Sequence, residues 1–276
     1  MKFRAVPAYL ETSILNIEMV RNSARRALLL LIAASYGVSA LEQLSADPAS
    51  SAPPSQSAPQ QASLSWLSER GVVYVLQAVP PPPAIGSDKD KADLQAVLKA
   101  QATRTPDEIK EALVDQKFKI GLMAGIISPD FIPENYPITF DFLNRVREDA
   151  SFLNSTLKER YKRHRPYQDH PEVKNLFPVE QYSYPSGHAS GSRMLMLVLV
   201  VLFPDKSTAL LDRDNLIAQS RVNAGVHYPS DIIAGRALAH ALIFVLQDNP
   251  AFEADLAKAQ AEIAGKKKSV TESVAK

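Results

Sequence analysis

From Asp88 onward the apolar residues fall three and four positions apart, and alternation with period two is scarce. Leu94, Val97 and Leu98 keep helical spacing, and Thr105-Pro106-Asp107-Glu108 has the composition of a helix start. Phe140, Leu143 and Val146, followed by Phe152, Leu153 and Leu157, predict a helix that runs into Lys158. Further helices are expected over Ser186 to Phe203, Ser207 to about Arg221 and Pro229 to Leu246, with an Ala-rich one from about Ala251. The stretch between Pro166 and Pro185 reads as loop. The pattern predicts an all-α fold, a single-domain helical bundle over residues 70–265. Residues 266–276 are expected to be a disordered basic tail.

Ahead of the bundle the pattern changes. Gly71 to Val79 is a short apolar run that stops at Pro80 to Pro83, and four consecutive prolines enforce an extended segment packed across the domain surface. Residues 41–69 read as a tether, because Ser, Ala, Pro and Gln dominate from Ser45 to Ser63 and cannot bury a core. Arg21, Arg25 and Arg26 precede the apolar run Ala27 to Ala34, and Gly37-Val38-Ser39-Ala40 follows. That order predicts a signal peptide over residues 1–40, with Met19 as an alternative start, and a periplasmic or secreted mature chain. The longest remaining apolar run, Met194 to Phe203, is about half of the ~18 residues a membrane span needs, so no span is expected in the mature chain.

Composition narrows the chemistry. With no cysteine among 276 residues, disulfides, thiolate catalysis and Cys-ligated zinc are excluded. A formal net charge of +1 offers no global attraction for nucleic acid, so any preference for anions has to be local. Three segments supply it: Lys158-x6-Arg165-Pro166; Pro185-Ser186-Gly187-His188; and Ser220-Arg221 with His227 and Asp231 beyond. Singly, each has an ordinary reading as a solvated helix end, a helix cap or a surface His–Asp pair. Two His and one Asp are thin support for zinc. Together they fit a phosphoryl-transfer site, where charge on three equatorial oxygens calls for fixed cations and donors. Lys158, Arg165 and Arg221 are the candidate cations, with Ser186 and the Gly187 N–H as donors. His227 held by Asp231 is the candidate nucleophile, and His188 the candidate general acid and base. With three side-chain cations no metal or other cofactor is required.

The same residues, with gaps of 18 and 31 residues between the segments, resemble the three-part signature of the type 2 phosphatidic acid phosphatase (PAP2) superfamily. Within it the chain resembles the bacterial class A non-specific acid phosphatases, whose Tyr-Pro-Ser-Gly-His wording recurs at Tyr184 to His188 and whose N-terminal region resembles Pro80 to Pro83. The resemblance spans roughly residues 70–250. It implies the all-α fold shared with vanadium haloperoxidases, acid hydrolysis of phosphate monoesters through a phosphohistidine, vanadate inhibition and no metal requirement. Its implied substrates are nucleotides, sugar phosphates and aryl phosphates; it leaves homo-oligomer formation open. Glu148 stands near where the family carries an acidic residue close to the site, and Asn223 and Tyr228 are expected to tune substrate preference. His164, Lys162 and Arg163 read as exposed neighbours, His170 as a loop residue and His240 as structural. The rivals are a haloperoxidase, a membrane-lipid phosphatase and a phosphate-binding protein without turnover.

Overall fold

In the computed structural model residues 64–274 are described, with side chains through Lys267; the expected signal peptide and most of the expected tether lie outside them. Every regular element among the described residues is helical, a 3-10 turn at Pro204–Lys206 and ten α-helices. In chain order they are α1 (Glu69–Ala78), α2 (Asp88–Thr103), α3 (Pro106–Val114), the single turn α4 (Gly121–Ala124), α5 (Pro137–Tyr161), the single turn α6 (Pro166–Asp169), α7 (Gly187–Leu202), α8 (Ser207–Asn223), α9 (Pro229–Leu246) and α10 (Pro250–Val274).

The starts are set by local chemistry. Ser68 and Ser87 accept the N–H of Gly71 and Asp90 at the heads of α1 and α2. Thr105 and Glu108 form a reciprocal capping box on α3. Pro106, Pro137 and Pro229 occupy first positions, where a missing N–H costs nothing. The head of α5 has no side-chain cap of its own; Glu262 of α10 supplies one, accepting the N–H groups of Ile138 at 3.1 Å and Thr139 at 2.8 Å and the Thr139 hydroxyl at 2.6 Å.

The apolar helix α7 is the centre, packed by α9, α8 and α5; α10 lies on α5, α1 on α9 and α3 on α8. Met194, Leu195, Leu199, Leu143, Leu153, Leu238 and Leu242 are sealed inside. Trp66 closes the core from the N-terminal side, edge-on to Phe142 and Phe252, and its indole N–H donates to Asp255 at 3.1 Å.

Two expectations are corrected. The Pro166–Pro185 stretch contains a helical turn, α6, because Gln168 folds back to accept the Arg165 N–H. The final helix continues past Gly265 to Val274 instead of fraying there, since one Gly inside a helix costs only about 1 kcal/mol and lysines, good helix formers, follow it. By length and composition alone α9 is apolar enough to cross a membrane. Half of α9 is buried inside the fold, as in the core helix of a bundle.

Candidate active site

Three helix ends meet. Lys158 stands in the last turn of α5, which stops at Lys162, a non-glycine residue in the left-handed region (φ 46°). That turn redirects the chain so that Arg163 and Arg165 face back into the protein, 11% and 2% exposed. Ser186 caps α7 with its hydroxyl oxygen, 3.3 Å from the Ala189 N–H, so Gly187 and His188 form the first turn and the positive end of a 16-residue helix. Arg221 ends α8. The chain then reverses at Gly225 (φ 69°), where a Cβ would also press on Val173 and the Asn175 backbone, and delivers His227 just before α9. Asp231 sits in the first turn of α9.

The three ends are bolted together by the backbone. The Ser186 N–H donates to the Asp231 carbonyl at 2.9 Å. Asn154, one turn before Lys158, donates to the Pro185 carbonyl and the Ser190 hydroxyl, each at 3.3 Å. At Gly235 any Cβ would come within 2.5 Å of the Ser186 carbonyl oxygen, so glycine is what lets α9 lie this close to the head of α7. Gly187 is different, since a Cβ there would only touch Asn154 at 3.5 Å.

Within this frame Lys158, Arg165, Ser186, Gly187, His188, Arg221, His227 and Asp231 all gather in one place, Gly187 and His188 half-buried and the others buried. Nδ1 of His227 is 3.0 Å from Oδ2 of Asp231, and its Nε2 is 3.2 Å from Nη1 of Arg165. A guanidinium only donates, so Nε2 is the acceptor and the ring proton is on Nδ1, shared with the carboxylate. The cations are held by main-chain carbonyls: Lys158 by Tyr182, Arg165 by Gln181 at 2.7 Å and Val226 at 2.6 Å, Arg221 by Asp115 at 3.1 Å. The Asp115 carbonyl also accepts Nε2–H of His188 at 2.8 Å, which fixes the other tautomer on that ring. Phe177 lies 5.1 Å beneath the Arg221 guanidinium and Phe118 meets His188 edge-on at 5.6 Å.

Burial and mutual repulsion dominate the electrostatics. Burial first, then Arg165, push the Lys158 ammonium down to about 7. Burial lowers Arg165 and Arg221 to about 10. His188 is pushed down to about 3 by burial and then by Arg221, and His227 well below its ordinary value by burial and then by Arg165. Both rings are neutral. Burial lifts Asp231, while Arg163, the Tyr228 N–H and Lys158 pull it back. Three cations and the head of a helix around two neutral imidazoles make a site suited to an anion.

Several side chains behave otherwise than expected. Glu148 is on the exposed face of α5, paired with Arg147 at 3.5 Å and away from the site; the buried acid beside it, Asp149, accepts the Ser65 N–H instead. Tyr228 is buried beneath Arg163 and Asn223 is engaged by Gln219, so both are packing residues. Arg163 is not an exposed neighbour but a largely buried partner of Asp231. His164 is exposed beside Asp169, and His170 is near Glu172. Asn154, Asp115 and Gly235 were not singled out; only Asn154 left a trace, its spacing of four from Lys158 on one helix face. No three His, Asp or Glu side chains gather as metal ligands among the described residues.

A family model described as the PAP2 superfamily matches residues 150–250, which hold every residue of the cluster. The chain is 32% identical over 196 residues to the non-specific acid phosphatase of Salmonella typhi, covering 67% of this chain and 78% of that protein. It is 31% identical over 218 residues to the non-specific acid phosphatase of Providencia stuartii, covering 74% and 87%. Among solved structures, the transmembrane PAP2 type phosphatidylglycerolphosphate phosphatase from Bacillus subtilis aligns with a TM-score of 0.44 and 22% identity over 64% of this chain and 90% of that one.

Proposed function

The chain belongs to the PAP2 superfamily, with the non-specific acid phosphatases, and from that premise we propose that it hydrolyses phosphate monoesters through a phosphohistidine on His227, without a metal. The observation that carries the reading is the His227 ring, with Nδ1–H on Asp231 and an unprotonated Nε2 facing the Arg165 guanidinium.

An incoming phosphoryl group takes the place among Lys158, Arg165 and Arg221 that their charge prepares, with the Ser186 hydroxyl and the Gly187 N–H as further donors. Nε2 of His227 attacks phosphorus as the ester P–O bond breaks, and Asp231 stabilises the cation forming on the ring. The leaving alkoxide takes a proton from His188. Burial and the surrounding cations hold His188 neutral, and it gains that proton on Nδ1 as the substrate's negative charge offsets those cations. Water then gives its proton back to His188 and attacks the phosphohistidine, releasing phosphate and restoring His227. Three buried cations carry the charge neutralisation that a divalent ion would otherwise supply, and a vanadate ion fits the same donors as an inhibitor. Residues 1–40 support export to the periplasm or beyond.

Release of p-nitrophenol from its phosphate ester in EDTA, together with an alkaline quench of a radiolabelled phosphate substrate, tests the reading. Turnover that survives EDTA, with label on His227 that disappears in His227→Ala, is expected. Turnover abolished by EDTA, or label elsewhere, would sink it.

A further inference from the structure

Asp231 has more to do than accept one proton. Its Oδ2 takes Nδ1–H of His227 at 3.0 Å and the Tyr228 N–H at 2.9 Å. Its Oδ1, on the far side from the imidazole, takes Nη1 of Arg163 at 2.8 Å. The same Arg163 nitrogen reaches the Ser230 hydroxyl at 2.7 Å, and Nη2 reaches Asp93 at 3.0 Å and Asp90 at 3.2 Å. Asp93 in turn accepts the Ser230 N–H at 3.0 Å and its hydroxyl. The guanidinium is stacked 4.0 Å over the Tyr228 ring, and the Arg163 carbonyl is tied to Ser183. A planar five-donor fork is committed on both prongs, to the nucleophile's carboxylate on one side and to α2 on the other.

We infer that Arg163 is a positioning residue for the reaction: its ion pair keeps the Asp231 carboxylate charged and turned toward Nδ1 of His227, and Asp90 and Asp93 of α2 hold Arg163 in place. The inference rests on the phosphohistidine reading for its kinetic consequences. The need for such a residue follows from burial. A carboxylate with no exposure readily takes up a proton, and a protonated Asp231 no longer holds the ring in the attacking tautomer. The charged and titratable groups that face Asp231 are Lys158 of α5, Arg163 and Arg165 of the loop after it, Tyr184 of the turn before α7, His227 and Tyr228 before α9, and Asp90 and Asp93 of α2. Of the cations among them, only Arg163 is bonded to the carboxylate. Removing its charge raises the pH at which Asp231 protonates, so turnover is lost from the acid side.

The test compares Arg163→Gln and Arg163→Lys with the wild type in kcat, KM and the acid limb of kcat/KM, alongside the 15N signature of His227 in the histidine-labelled protein. For Arg163→Gln, kcat falls about 10- to 100-fold with KM changed less than about 3-fold, and the acid limb moves up by about one pH unit or more, the scale of a lost charge at this distance. Arg163→Lys keeps the charge and returns the limb to its wild-type position. A limb that stays put in Arg163→Gln, or moves equally in both variants, overturns the inference. If Arg163→Gln does not fold, Asp93→Asn serves: a several-fold fall in kcat at unchanged KM is expected, and wild-type kcat is the overturning result. The 15N signature separates this inference from the mechanism it rests on, because the Nδ1–H tautomer of His227 weakens at acid pH in Arg163→Gln whether or not His227 is ever phosphorylated. An unchanged tautomer counts against Arg163; a shifted tautomer with no label on His227 counts against the phosphohistidine alone.

Discussion

Lys158 and the two histidines divide the pH dependence differently from what their residue types suggest. Two histidines of ordinary acidity would frame a bell between them. Here both rings are depressed far enough that neither titrates in the working range of the free enzyme, and the groups left to do so are Asp231 on the acid side and Lys158 on the alkaline side. Lys158 is charged below about 7 and loses its charge above it, so kcat/KM should fall as pH rises through that value. Lys158→Arg, whose charge persists, should move this alkaline limb upward; a limb that stays in place would show that another group sets it. Gly235→Ala should remove most activity, because the 2.5 Å approach to the Ser186 carbonyl displaces the head of α7. Full activity in that variant, measured by p-nitrophenol release, would show that the two helices can part without disturbing the site. At this scale the eight clustered residues were legible in the sequence, since phosphoryl chemistry demands particular side-chain types and three short segments supplied them. Arg163 was not, because its role lies in partners 67 to 73 residues away. Asp115 was invisible for another reason: it serves His188 and Arg221 with its carbonyl oxygen, which every residue has.

Helix boundaries were legible where a proline, a serine or a capping box marks them, as at α2, α3, α7 and α9. They were illegible where the cap comes from elsewhere in the chain. The head of α5 is capped by Glu262, 123 residues away, and no local pattern announces it. Replacing Glu262 by Ala should destabilise the protein by about 1–2 kcal/mol, the range for loss of a helix cap, and should show as a lower Tm with little change in kcat, because the opposite end of α5 carries Lys158. A fall in kcat without a fall in Tm would mean that the helix transmits strain along its length. The single turn α6 was missed for a related reason. Its four residues hold their shape through Gln168 folding back on Arg165, too short a unit for periodicity to register.

Taken as a whole the molecule buries polar clusters of two kinds. One is the site, rich in cations. The other ties α7, α8 and α9 together around Asp214, which accepts the Ser192 hydroxyl at 2.6 Å and pairs with Arg193 at 2.7 Å and Arg236 at 3.3 Å. His240 beside it is pushed down to about 4, by burial first and then by Arg193 and Arg236. A histidine with a depressed folded pKa contributes its stability in full above its unfolded value, about 6.5, and loses it as pH falls toward the folded value. Protons bind the unfolded chain first over that window. Buried Asp115, Asp149 and Asp231, lifted by burial, act in the opposite sense, so the contribution is best isolated by difference. The Tm of wild type minus that of His240→Gln should therefore decline between about pH 6.5 and 4, and a constant difference would mean that His240 is not the sensor. Phosphate should raise Tm, by an amount equivalent to ~2.7 kcal/mol at a hundred times its Kd, and more strongly at pH 5 than at pH 8, where Lys158 has lost its charge.

The buried Tyr184 in front of the Ser186 turn donates its hydroxyl to the carbonyl of Pro80. Four prolines present carbonyls but no N–H groups, so this stretch can receive a bond and never compete for one. The consequence concerns how far the amino-terminal arm can be cut back. Ser65 already bonds Asp149, and Trp66 already seals the core, so trimming into them removes contacts of the folded body. A cut past Pro83 would take away the oxygen that Tyr184 holds, together with α1 and the Trp66 lid, and would leave a buried phenol without its acceptor directly beside the catalytic turn. The proline run thus marks a point beyond which the folded body cannot be shortened without disturbing the catalytic turn.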